Sequence, residues 1–169
     1  VVLFCYTRFM KTNAPENYIC PICLGIQGVE NDNTLIRQGD IVYKDDLVTV
    51  FIGSFFMPNN SGYPIIVPNE HFENIYELPS KSFHRIADLS KYFSIALKEI
   101  RNCKGINILQ NNEPASNQHA FHYHMHVIPR FKDDGLILNA TQSKISTEEE
   151  RKPYADNLRE YITNNPTTF

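Results

Sequence analysis

The spacing of apolar positions changes along the chain, and each change marks an element. Residues 41–57, IVYKDDLVTVFIGSFFM, hold two runs rich in β-branched and aromatic residues around the turn-like Lys44-Asp45-Asp46, the pattern of a hairpin. PNNSG at 58–62 is a loop, and YPIIVP after it is a strand with a continuous apolar centre. The interval then lengthens to three and four. Phe83, Ile86, Leu89, Phe93 and Leu97 form one stripe, which predicts a helix from about Ser80 to Arg101. Ser80 is its expected N-cap, and Gly105 lies just past its end. GINILQ returns to strand, NNEPASNQ is a polar loop, and HYHMHV alternates with period two. In the tail, Ser146 with Glu149 fits a capping box, and Tyr154, Leu158 and Tyr161 keep helical spacing.

The order of strands, helix, strands and helix predicts an α+β fold: a mainly antiparallel sheet, one long helix and an additional C-terminal helix. At 169 residues the chain is expected to form one domain, residues 1–169. The formal net charge of −3 supplies no basic footprint, so no nucleic-acid partner is expected. The opening VVLFCYTRFMK lacks a basic stretch before it and is far too short to span a bilayer, so it reads as a buried leading strand or an unstructured terminus. No membrane partner and a cytoplasmic location are therefore expected.

Two of the four cysteines, Cys20 and Cys23, stand in CPIC. In a protein that is not secreted this spacing points to a metal or redox site before a disulfide. Cys5 and Cys103 are isolated and read as buried free thiols. The stretch from Gly25 to Gly39 is polar, a loop with at most a short helix.

Three of the six histidines stand in HYHMHVIPRF at 122–131. Alternation is the strand period, so His122, His124 and His126 are expected on one face, with Tyr123, Met125 and Val127 on the other. Neighbouring histidines would lie roughly 6.5–7 Å apart at Cα. They could chelate one metal, divide labour between metal binding and catalysis, or simply populate a half-exposed strand. A single C-x-x-C supplies two zinc ligands, so a structural site needs two more. His71, after the buried strand, and His122, first of the triad, make a Cys20, Cys23, His71, His122 site sensible. His124 and His126 then remain free. A neutral imidazole is a competent nucleophile toward phosphorus, and a second can donate to phosphate oxygens. Asn111, Asn112, Asn117 and Gln118 supply amides suited to phosphate or sugar, or else a plain polar turn.

HYHMHVIP also resembles the motif of the histidine-triad (HIT) nucleotide hydrolases and transferases, alternating histidines with apolar residues between and after them. CPIC, IVYKDDLVTVF, PNNSGYPIIVPNEH, INILQNN and PRFKDDG follow in that family's order, so the resemblance covers about 18–135 and leaves a C-terminal helical extension at about 136–169. It implies the HIT fold, commonly a homodimer with the sheet continued between chains. It implies that His124 attacks the α-phosphorus of a nucleotide to form a nucleotidyl-histidine, which water or another acceptor resolves. His126 would bind the phosphate and assist the leaving group, and Asn111 and Gln118 match phosphate- or ribose-side positions. Cys20, Cys23, His71 and His122 match the family's zinc ligands.

Three departures stand out. Gly62-Tyr63 replaces the Gly-His of many members, although tyrosine still donates a hydrogen bond. Asn117-Gln118-His119 lacks the hydroxyl that usually precedes the triad. FIGSFFMP replaces a segment whose aspartate holds the ribose, and sets Gly53, Ser54, Phe55 and Phe56 in its place. The expected activity is hydrolysis of an α-phosphate linkage in a dinucleoside polyphosphate or adenylylated substrate, releasing a nucleoside monophosphate. The alternative is a non-catalytic nucleotide-binding module that keeps a structural zinc. A third arrangement, a catalytic metal on all three triad histidines, lacks an obvious carboxylate ligand.

Overall fold

The structure, a computed structural model, describes residues 12–136 and 142–167. The leading VVLFCYTRFMK, with Cys5, lies outside these residues. The strands are β1 (Ile41–Lys44), β2 (Val48–Ile52), β3 (Phe55–Phe56), β4 (Pro64–Pro68), β5 (Gly105–Gln110), β6 (Met125–Arg130) and β7 (Lys144–Ile145). The helices among the described residues are α1 (Pro21–Ile26), α2 (Ser80–Arg101) and α3 (Glu148–Asn164). Five strands make one antiparallel sheet in the order β1-β2-β4-β6-β5, while β3 and β7 pair separately as a small antiparallel ribbon. The expected α+β architecture is the observed one.

The β1–β2 hairpin turns at Asp45, whose Oδ1 accepts from the backbone N–H groups of Leu47 and Val48 at 2.9 Å each. A short acidic side chain bonding its own turn is why Lys-Asp-Asp reads as a turn. β2 and β4 are buried at every position, because both faces of the sheet are covered. That explains their unbroken apolar runs in place of alternation. On one face, Ile86, Leu89, Phe93 and Leu97 of α2 pack on Val50, Ile66 and Val127, and Leu158 of α3 joins them. On the other, Ile22 and Ile26 of α1 and Ile36 cover Phe51, Ile65 and Ile128. Each such fully buried side chain contributes about 1.5–3 kcal/mol.

The helix ends differ in detail from the sequence reading. Ser80 is the first helical residue of α2 and Pro79 occupies the N-cap, with no side-chain cap bond. The helix stops at Asn102, held at φ 49° and ψ 31°. Asparagine tolerates this left-handed conformation, so Gly105 is free to open β5. Phe83, expected on the buried stripe, is 36% exposed. The capping box of α3 is Thr147 with Glu150, one residue later than expected. Ser146 is unavailable as the cap because its Oγ and N–H both donate to the Ser54 carbonyl, at 2.8 and 2.9 Å.

No helix among the described residues is long and apolar enough to cross a membrane. Cys103 is a buried free thiol, as its isolation suggested.

Candidate functional site

The β6 ladder begins at Met125, so His122 and His124 precede regular pairing, contrary to a strand running through all three histidines. The chain bends just upstream: His122 N–H donates to the Ala120 carbonyl at 2.9 Å and Tyr123 N–H to Phe72 at 2.6 Å. The alternation survives the bend. Tyr123 and Val127 are buried under α2 with Met125 packed beside them, and the histidines face the opposite side.

Cys20 is the N-cap of α1, and its sulfur accepts from Cys23 N–H at 3.4 Å. The C-x-x-C is thus the first turn of a helix, with Pro21 at its start, where a missing N–H costs nothing. His122 Nδ1 lies 3.5 Å from the Cys20 sulfur and 3.4 Å from that of Cys23, and His71 Nδ1 lies 3.3 Å from Cys23. All four ligand atoms fall within 4.8 Å of one another. Around a tetrahedral ion with metal–sulfur bonds of about 2.3 Å and metal–nitrogen bonds of about 2.05 Å, ligand atoms stand roughly 3.5 Å apart. These four residues could therefore hold such an ion without moving far.

The ring orientation also fits. His122 Nε2 faces the Pro68 carbonyl at 3.0 Å; a carbonyl only accepts, so this nitrogen carries the proton and Nδ1 keeps its lone pair for a metal. The thiols behave as a pair. Cys20 is held below its ordinary range, chiefly by the hydrogen bond from Cys23, and Cys23 is correspondingly raised.

His124 Nδ1 lies 2.7 Å from the main-chain carbonyl of His122. It must donate, which leaves the Nε2 lone pair free. Burial lowers the basicity of His124, keeping the ring neutral. The His126 ring sits 5.0 Å from that of His124, centroid to centroid. Its Nδ1 is enclosed with no hydrogen-bond partner, and burial, aided by His124, pushes its pKa down to about 3. The Tyr63 ring lies 5.6 Å from His126, and burial pushes the phenol up to about 12.

His124 and His126 open onto a cavity of about 780 Å³. Asn111, Asn117 and His119 line it on the triad side, and Leu35, Phe51 and Phe55 line its apolar side. No Asp, Glu, Lys or Arg is among its described lining residues. Gln118, expected beside a phosphate, lies elsewhere. It is 2% exposed; its Oε1 accepts from Glu113 N–H at 2.6 Å, and its Nε2 donates to the carbonyls of Glu73 at 2.6 Å and Ala120 at 3.2 Å. Both ends of the amide are committed to closing the loop. Asn112 is likewise turned away, bonding Ile75 N–H at 2.8 Å and Gln110.

Sequence reading missed the wall formed by Thr34, Leu35 and Ile36, which lies in the stretch read as polar loop. Only the short apolar pair Leu35-Ile36 within that polar stretch hints at it.

Comparison with known proteins accords with this geometry. A family model described as HIT domain matches residues 36–133, more than half of the chain. An uncharacterized HIT-like protein of Borreliella burgdorferi is 40% identical over 97 residues, 56% of this chain and 68% of that protein. Another from Saccharolobus solfataricus is 27% identical over 144 residues, 85% of this chain and 95% of that protein. The fold matches the crystal structure of a zinc-bound histidine triad family protein from Mycobacterium smegmatis with TM-score 0.67 and 21% identity, covering 86% of this chain and 94% of that one. With the alternating histidines, the antiparallel sheet and the family match in agreement, this chain belongs to the HIT domain family.

Proposed function

We propose that the protein is a nucleotide hydrolase that cleaves an α-phosphate linkage, in an adenylylated or dinucleoside polyphosphate substrate, through a covalent intermediate on His124. The observation that carries this reading is the 2.7 Å hydrogen bond from His124 Nδ1 to the His122 carbonyl, which leaves Nε2 unprotonated at the cavity. In the first step Nε2 forms a bond to the α-phosphorus. The bond from phosphorus to the leaving group breaks, and its electron pair departs with that group. The ring then carries positive charge, which the His122 carbonyl stabilises through the Nδ1 proton. In the second step water adds to phosphorus and the phosphorus–nitrogen bond breaks. Nucleoside monophosphate is released, the proton from water goes to solvent, and His124 is neutral again.

His126, neutral because of its burial, offers the phosphoryl oxygens a hydrogen bond rather than a charge. Asn111 and Asn117 border the same cavity and suit the phosphate or ribose. Gln118 serves by fixing the loop that carries Asn117 and His119. A structural zinc on Cys20, Cys23, His71 and His122 would hold the start of the triad. Reduced thiols of this kind suit the cytoplasm. The edge strand β5 exposes Ile108 and Leu109, at 52% and 46%, which supports a homodimer built across that edge. Residues of about 18–135 would form the catalytic core of one domain, with the segment from about 136 onward, which carries α3, as its extension.

Product release from an adenosine phosphoramidate, dinucleoside polyphosphates and a nucleotide sugar, with wild type and His124→Ala side by side, tests the reading. Monophosphate released by wild type alone supports it. Nucleotide binding without release would favour a binding module instead.

A further inference from the structure

Residues 142–167 lie beyond the segment matched by the family model, yet they reach the cavity. β7 pairs with β3, setting Ile145 opposite Phe55 and Lys144 opposite Phe56. Ser143, from the same segment, lines the cavity, as does Phe55. One side chain ties the segment together. Arg151, 3% exposed, forms a buried ion pair with Asp40, 1% exposed, at 2.7 Å. Its Nη1 donates to the Ser146 carbonyl at 2.5 Å, and its Nη2 to the Leu35 carbonyl at 3.3 Å. Ser146 in turn donates from both Oγ and N–H to the Ser54 carbonyl, and Ser54 Oγ reaches the Leu35 carbonyl at 3.4 Å.

Leu35 and Ser54 both line the cavity but come from separate segments of the chain. Beside the direct Ser54–Leu35 hydrogen bond, the guanidinium and Ser146 form a second tie that fixes one against the other. Asp40 completes the clasp, since its Oδ2 accepts from Arg37 N–H at 2.8 Å and so anchors the 34–36 segment from its other end. A planar fork with several donors in fixed directions suits this task; an ammonium, with one nitrogen, could not reach Asp40, Ser146 and Leu35 together.

We infer that the C-terminal segment is the specificity element of this site: Arg151, with Ser146, positions the Leu35–Ser54–Phe55 wall, and that wall receives the nucleoside portion of the substrate. Arg151 is a positioning residue and touches no substrate. The inference rests on the nucleotide reading above. The wall it positions is apolar with hydroxyl and main-chain edges and no charged side chain among its described residues, so the group it accepts is a neutral, flat heterocycle rather than a second phosphate.

The test uses full-length wild type, Arg151→Lys and Ser146→Ala. Arg151→Lys keeps a charge against Asp40 and so avoids stranding a buried carboxylate; Ser146→Ala removes only a hydroxyl. For each protein, titration calorimetry gives Kd for adenosine 5′-monophosphate, steady-state kinetics gives kcat and KM on the best substrate, and thermal melting reports the fold. The expected result is Kd and KM about tenfold higher in Arg151→Lys and a smaller rise in Ser146→Ala, with kcat falling less than threefold. Unchanged Kd in folded variants overturns the assignment. So does a parallel loss of kcat and melting temperature with KM unchanged, the mark of a purely structural role. Wild type that binds the monophosphate but turns nothing over defeats the hydrolase reading alone, and Kd still decides the role of Arg151. Wild type that does not bind it defeats both.

Discussion

His124 donates its Nδ1 proton to the main-chain carbonyl of His122 at 2.7 Å, while His122 directs its own Nδ1 at the two cysteine sulfurs. One residue therefore faces the metal-binding quartet with its ring and the candidate nucleophile with its backbone. The carbonyl sets the tautomer of His124, and the quartet sets the position of the carbonyl. Structural and chemical roles meet at a single peptide.

The nucleophile follows from that bond. His124→Ala should lower kcat by about 10³-fold or more while leaving the melting temperature nearly unchanged. Binding of adenosine 5′-monophosphate should survive, because the apolar wall and Asn111 are untouched. Turnover within tenfold of wild type would remove His124 from the mechanism.

The metal makes a separate prediction. Purified protein should contain about one zinc per chain, and Cys20→Ser with Cys23→Ser should lose it. Stability should fall by several kcal/mol, because α1 and the bend at His122 would lose their common anchor. Metal analysis and melting with and without chelator check this. A wild-type melt indifferent to chelator would refute a structural ion.

Gln118 separates a structural amide from a ligand. Its carboxamide is buried and bonded at both ends, to Glu113 N–H and to two carbonyls. Gln118→Ala should cost about 1–3 kcal/mol by stranding these groups. Gln118→Glu should cost more, since it keeps an acceptor for Glu113 but turns a carboxylate oxygen toward the carbonyls of Glu73 and Ala120. Chemical denaturation gives both values. A variant of full stability with a selective loss of turnover would instead return Gln118 to the phosphate.

What the sequence made legible, and what it hid, divides by the range of the interactions. α2 spans Ser80–Arg101 as its stripe implied, because a 22-residue element repeats its signal often enough to locate. Cys20, Cys23, His71 and His122 come together as expected, and the set was legible because the chain offers few thiols and imidazoles from which a metal-binding quartet could be drawn. The alternation of the triad placed its faces correctly even though the ladder starts only at Met125. β3 and β7 are two residues each, too short to show a period. Ser146 fitted a capping box on local grounds, yet its partner, the Ser54 carbonyl, is remote in sequence. Gln118 was equally opaque, since the Glu73 carbonyl it bonds lies 45 positions away. Polar side chains whose partners are distant backbone groups leave no local pattern.

The protonation of His126 gives a pH dependence with a definite sign. Its ring is half-buried, its Nδ1 is fully enclosed without a partner, and His124 stands beside it. Burial first, and His124 second, push its pKa down to about 3, against about 6.5 in the unfolded chain. Between those values the unfolded chain binds a proton that the native protein refuses, so unfolding becomes easier as pH falls. The contribution is at its full value above about pH 6.5 and is lost progressively as pH drops toward 3. Urea unfolding of wild type and His126→Asn from pH 7.5 to 5 should show a steeper loss in wild type. Every other titrating group is common to both proteins, so the difference between the two slopes isolates residue 126 and its coupling to His124. Equal slopes would mean that His126 takes up its proton in the native state, and the phosphate would then meet a charge rather than a neutral donor.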